Sequence, residues 1–200
     1  MAVATQPLGR RERNKQAKLE RITAVASELF AAHGVDEVTT QQIADAADIG
    51  TGTLFLYAKT KGELLLLVQN AHYAAALERG RVAAAGANTA LDAVVALLAP
   101  VVACNRVQVD NGRTYLREMV FGDPTEPHHA EALAIVGNAE DATSGLLAWH
   151  LGLDDAGAAT LARVISAILF LTMASSEHVD SSIEQIVDVL RTQMAAVLPR

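Results

Sequence analysis

Residues 39–61 read Thr-Thr-Gln-Gln-Ile-Ala-Asp-Ala-Ala-Asp-Ile-Gly-Thr-Gly-Thr-Leu-Phe-Leu-Tyr-Ala-Lys-Thr-Lys. Their hydroxyls, amides and ammonium groups suit contacts with phosphate oxygens and base edges, and their methyls suit contact with thymine methyls. Thr51, Thr53, Phe55 and Leu56 are the candidate base readers, with Leu54 assigned to the core. Segment 51–57 contains no Arg, Lys, Asn or Gln. It therefore lacks the bidentate base contacts that give about 1–3 kcal/mol of discrimination each. Sequence preference would rest on Thr hydroxyls and methyls, apolar contacts, water and DNA shape. Thr39, Thr40, Tyr57 and Lys61 are assigned to the phosphate backbone; a core aromatic under the reading head is the other role open to Tyr57. Gln41 or Gln42 adds an amide contact from the preceding helix, and Gly50 and Gly52 complete the contact surface. Arg10, Arg11 and Arg13 are further phosphate partners. They belong to a run of six basic residues between positions 8 and 21, against two acidic ones.

Such contacts need two short helices held at a fixed angle. A short helix can lay its N-terminal end in the major groove while the preceding helix braces it. Thr39 with Gln42 forms a capping box that opens the first helix, whose Ile43, Ala44 and Ala47 share one face. Asp48 falls at the turn, where Asp tolerates left-handed geometry. Ile49 plugs the core under the turn, and Gly50 is the N-cap of the recognition helix Thr51–Tyr57. Thr60 and Glu63 form a second capping box ahead of a long helix. Lys61 sits in that helix's first turn, where the macrodipole disfavours its charge unless a phosphate binds there.

The stretch Leu19–Leu65 resembles the DNA-binding domain of the TetR family of transcriptional repressors. The resemblance rests on Phe30, Gly34, Thr39, Ile43-Ala44, Gly52-Thr53, Phe55, Tyr57 and Lys61. It departs from the family at Asp48 (usually Gly), Gly50 (Ser), Phe55 (Tyr), Ala58 (Phe) and Gly62 (acidic). The resemblance implies a homodimer formed by the last two helices as a four-helix bundle. It also implies a small-molecule pocket in the middle helices, whose occupation changes the spacing of two reading heads.

The rest of the chain fits this frame. Half the residues are hydrophobic, enough for a sizeable core. Residues 1–62 carry a net charge of +1 and residues 63–200 a net charge of −8, so the basic footprint is local. The single cysteine, Cys104, excludes an internal disulfide and suits a reducing cytoplasm. No apolar run reaches the ~18–20 residues of a membrane span, and the basic start lacks a signal-peptide core. Helical periodicity predicts an all-α fold of about nine helices. Three form an N-terminal helix-turn-helix domain, 10–62, after a flexible tail, 1–9. The others form a ligand-binding and dimerisation domain, 63–200.

The later helices are expected at about 88–109, kinked or split at Pro100, then 113–121, 127–150, 155–175, and from a Ser181–Glu184 capping box to Pro199. Leu161, Val164, Ile165, Ile168 and Leu169 on the eighth helix are candidate dimer contacts. Ile183, Ile186, Val187, Leu190 and Met194 on the ninth join them; a central buried eighth helix is the competing reading. Tyr115, Met119, Phe121, Trp149, Phe170 and Met173 are candidate ligand contacts, with Asn105 and His150 as orienting polar groups.

Other classes fit less well. Cys104 has no recognisable His partner, and there is no phosphate-binding Gly loop, so no enzyme and no cofactor are expected. His128, His129 and Glu131 superficially suggest a metal cluster, but adjacent helical residues diverge, and a solvated helix start is expected instead. The function expected is a sequence-specific repressor released from a palindromic operator by an unidentified small molecule. An activator, or a ligand-independent DNA-organising protein with the same reading head, is the alternative.

Overall fold

The structure is a computed structural model that describes residues 9–199. The tail expected at 1–9 lies outside the described residues except for Gly9. Among the described residues there are nine α-helices, one 3₁₀ turn at Ser176–His178 and no strand.

Helix α1, Arg10–His33, buries Ile22, Ala26 and Phe30, one residue per turn, and stops at Gly34, whose φ of 79° places it left-handed. Its N-terminal turns bury no side chain: the six basic side chains from Arg10 to Arg21 are exposed. Helix α2, Thr40–Ala46, is opened by the expected Thr39–Gln42 capping box. Asp48 has the left-handed φ, 51°, expected at the turn. Helix α3 is a single turn, Thr51–Leu54, shorter than the expected Thr51–Tyr57; residues 55–57 form hydrogen-bonded turns instead. Gly50 offers no side-chain cap, and a lone turn has little propensity to propagate.

Helix α4, Lys61–Ala84, starts within the reading head and crosses the body. The boundary expected at residue 62 thus falls inside its first turn. One continuous apolar cluster runs from Ile22 through Leu64 to Met194, so head and body share a core. Helix α5, Ala90–Asn105, passes through Pro100 as one helix. The break lies at Arg106–Gln108, where the chain turns through 111° into α6, Val109–Phe121. Gly80 allows α4 and α5 to approach closely, since a Cβ there would collide with the Leu97 carbonyl.

Helix α7, Pro127–Leu151, α8, Asp155–Ala174, and α9, Ile183–Val197, complete the body. The α9 capping box is Ser182–Gln185, one residue later than expected, with both reciprocal bonds formed. At α4 only half of the predicted box forms. Thr60 caps the Glu63 amide, but the Glu63 carboxylate accepts from the His128 amide, 2.7 Å away. The expectation of no span-length apolar segment also needs correction. Helix α8 has 20 residues and a mean hydropathy of 1.7, long and apolar enough to cross a membrane by those measures. Here it packs against α6, α7 and α9.

Candidate DNA-reading head and ligand cavity

The reading head is built outward from Leu54, which is buried as expected. Leu54 fixes α3 so that Leu56, 82% exposed, and Phe55 project from the surface, with Gly50 and Gly52 exposed beside them. The Thr51 hydroxyl donates to Gln41 Oε1 at 2.7 Å, and Gln41 donates to Asp45 at 2.7 Å. Gln41 therefore ties the two short helices together as well as facing outward. Thr40 and Thr53 are half-buried and Thr39 is exposed. The Tyr57 ring is half-buried and its hydroxyl donates to the Lys15 carbonyl at 3.4 Å. That contact braces α3 against α1, close to the core role considered for this residue. Lys61 Nζ donates to the Asp36 carbonyl at 3.1 Å. Its ammonium thus reaches back over the α1–α2 loop.

Arg11, Lys15 and Lys18 of α1, with Glu12 and Asn14 beside them, face Thr53, Leu56 and Tyr57 across an open groove of about 610 Å³. Arg10 and Arg13 are exposed on the same end of α1. A mainly cationic wall opposite hydroxyl and apolar groups suits a phosphate backbone beside base edges.

Four polar contacts join this head to the body, all between residues far apart in sequence. Asn111 of α6 accepts from the Val35 amide at 2.6 Å and donates to the Phe30 carbonyl at 2.8 Å. His128 of α7 lies 3.0 Å from the Tyr57 carbonyl through Nε2. Lys59 is paired with Glu126. That pair raises the lysine's pKa, first through its hydrogen bond and then through its charge. The solvated helix start expected at 128–131 is overturned: His129 is buried and His128 is half-buried. No group of three or more metal-ligating side chains is found among the described residues.

The contacts continue inward. Asn70 donates to the His128 carbonyl and to Glu131, both at 2.9 Å, and accepts from the Tyr115 hydroxyl at 2.9 Å. Tyr115 stacks on Tyr73 with ring centroids 4.1 Å apart. Asn105 donates to the Tyr73 hydroxyl at 2.9 Å. Burial pushes both phenol pKa values upward, so both hydroxyls stay neutral.

Beside this stack lies an apolar cavity of about 80 Å³. Of the expected ligand residues, Tyr115, Met119, Phe170 and Met173 line it, together with Tyr73, Leu77 and Leu98. Asn105 does not; it lies on the far side of Tyr73. Phe121 and Trp149 are exposed, at 78% and 84%, and neither they nor His150 line this cavity. Both aromatics sit near helix C-termini, beyond the last buried turn, where periodicity carries no information on burial.

The expected dimer residues also divide. Ile165, Ile186, Leu190 and Met194 are buried within the single chain. Leu190 and Met194, with the half-buried Val187, face Val95, Leu98 and Val102 of α5. The regular stripe on α9 is thus an internal seam, which corrects its assignment to the partner interface. Val164 and Ile183 are exposed, Leu161, Ile168 and Leu169 are half-buried, and Leu171 and Val197 of the same two helices are exposed at 69% and 39%. Sequence reasoning missed Asn70, Tyr73 and Asn111, and it gave Glu63 and His128 other roles. A signal existed for Asn70, which interrupts the apolar face Leu66–Tyr73–Leu77 at helical spacing.

A short α3 braced by α2 beside a basic helix end, on an all-helical body with its own cavity, is the arrangement of a helix-turn-helix reading head joined to a helical body. Residues 22–68 match the family described as bacterial regulatory proteins, tetR family. The reading head is similar to that family, and the whole chain shares the fold of TetR-type transcriptional regulators. FadR from Thermus thermophilus, a TetR-family transcriptional repressor solved with lauroyl-CoA, superposes with a TM-score of 0.68 and 22% identity, covering 90% of this chain and 92% of that one. A putative transcriptional regulator from Rhodococcus sp. RHA1 gives 0.65 and 18%, covering 90% and 95%. A TetR-family regulator from Streptomyces coelicolor gives 0.63 and 20%, covering 96% of each chain. A search of curated protein sequences finds no match.

Proposed function

We propose that this chain is a homodimeric, cytoplasmic, one-component repressor that leaves a palindromic operator when a small molecule binds. It acts without catalysis, cofactor or membrane anchoring. Residues 10–62 read DNA, and residues 63–200 hold the ligand and the partner copy. The observation that carries the reading is the set of head–body hydrogen bonds through Asn111 and His128. They join the DNA-contacting groups to helices that enclose an apolar cavity. Expansion of that cavity would move α6 and α7 and, through these bonds, the reading head. An effector must bind the two arrangements with different affinity to shift them.

Thr51, Thr53, Phe55 and Leu56 read bases in this proposal. Thr39, Thr40, Tyr57, Lys61, Arg10, Arg11 and Arg13 hold phosphates. The partner surface combines Leu161, Val164, Ile168, Leu171 and Ile183 of α8 and α9. Helix α8 supports it: the helix is span-length and apolar, yet only 28% of its most apolar window is buried within one chain. A two-fold pair would cover the remainder and set two half-sites about one helical turn apart. The neighbour solved with lauroyl-CoA supports an apolar ligand for the cavity here.

One observation favours a second reading, a ligand-independent DNA-organising protein. The core cavity of about 80 Å³ is well below the ≈300–1,000 Å³ of ordinary ligand sites. Unbiased selection of DNA fragments, followed by salt-dependent binding to those recovered, separates the two. A palindrome with two-fold half-site spacing is expected. Recovery of no preferred sequence, with steeply salt-dependent affinity alone, would replace the repressor by the organising protein.

A further inference from the structure

A second recess, of about 430 Å³, opens between α1, α4 and the α5–α6 corner. It shares one residue, Tyr73, with the lining of the core cavity. Arg79 and His72 stand on its wall, and no aspartate or glutamate lines it, although residues 63–200 carry a net charge of −8. Arg79 has no carboxylate within ion-pair distance among the described residues. Arg81, two residues on, is paired with Glu78 and donates to the Asn138 carbonyl. The Arg79 charge is felt inside the recess. It opposes the upward push that burial gives the Cys104 thiol. At the back, Asn105 is buried and bonded to Tyr73 through its amide nitrogen, while its Oδ1 has no partner. The polar lining therefore holds an unpaired cation at its wall and a gate residue, Tyr73, held from its hydroxyl by one side chain.

We propose that the recess and the core cavity are two ends of one ligand site, taking an amphipathic molecule whose anionic head pairs with Arg79 and whose apolar tail enters past Tyr73. This rests on the ligand-released reading and gives it a ligand class. The tail requires Tyr73 to swing away from Tyr115, which widens the core cavity. The recess is also lined by Ser27 and Ala31 of α1 and by Asn111, whose side chain bonds the backbone of Phe30 and Val35. Occupation of the recess therefore acts directly on the seam between head and body. A carboxylate and a phosphate offer Arg79 the same charge-assisted hydrogen bonds.

The test is calorimetric titration of the full chain with decanoate, decyl phosphate and decanol, each below its micelle concentration. Release of selected DNA is followed in parallel. The anions should bind about tenfold or more tighter than decanol, and the stronger of the two identifies the head group. Arg79→Gln, at an exposed position, should remove that preference and leave decanol binding unchanged. Ile135→Trp, which fills the core cavity, should weaken all three probes. Equal binding of decanol and the anions, a preference that survives Arg79→Gln, or no binding by any probe would overturn the proposal. Release of DNA by decanol without anion preference would sink the head-group assignment and leave the ligand-released repressor standing. Anion binding that depends on Arg79 without DNA release would do the reverse.

Discussion

At the residue scale, the proposed reading head separates contacts assigned to hold DNA from contacts assigned to choose it. Lys61→Ala is expected to weaken binding to all sequences alike and to lower the salt dependence by about one counterion. Binding titrations over a salt series check this; a change of preference without lost affinity would contradict the role. Thr53→Ala should alter the preferred sequence, and selection from a randomised site would show it. Thr51 differs, because its hydroxyl already donates to Gln41. What sequence made legible at this scale is local: the Thr39–Gln42 box and the left-handed Asp48 involve partners within a few positions. Glu63 and Asn111 were opaque because their partners lie 65 to 81 residues away. No local pattern records such a partner.

At the element scale, the seam between head and body is the part most open to mutation. Asn111→Ala leaves the buried Val35 amide without an acceptor, while the Phe30 carbonyl keeps the Gly34 amide. A loss of about 1–3 kcal/mol is expected, measurable by denaturant unfolding. A loss near zero would remove Asn111 from the bonds that hold head to body. The α5–α9 seam carries a pH dependence. The Arg191 hydrogen bond, seconded by Thr89, lowers the Asp92 carboxyl below its ordinary value. A depressed folded-state value adds stability that is complete above the unfolded carboxylate range. That stability is lost as pH falls through the folded value. Asp92→Asn should therefore be less stable than the parent at pH 7, and the difference should vanish in strong acid. Melting curves at the two pH values decide it. Helix existence was legible here because the apolar periodicity is long. The end of α5 was not, since Pro100 is the louder signal but the turn at Arg106–Gln108 is set by tertiary packing of α6 across α4 and α8.

At the scale of the whole molecule, the apolar surface left on α8 argues for a second copy. Leu171→Glu changes an exposed residue, so the single chain should fold while the pair comes apart. Sedimentation should show a monomer, and operator affinity should fall with loss of the second half-site. An unchanged dimer would move the interface elsewhere. The sequence told that the last two helices are unusually apolar. It could not tell which stripe faces α5 and which faces outward, because both present aliphatic residues at the same spacing.

Trp149 is the chain's sole tryptophan and stands 84% exposed at the end of α7. In the isolated chain its indole emits as a water-surrounded fluorophore, without signal from the core to mask it. The protein thus carries its own optical gauge: light from one side chain reports whatever covers that end of the body. A move to shorter wavelength on concentrating the protein, or on adding operator, would turn a surface ring into a label-free readout of assembly.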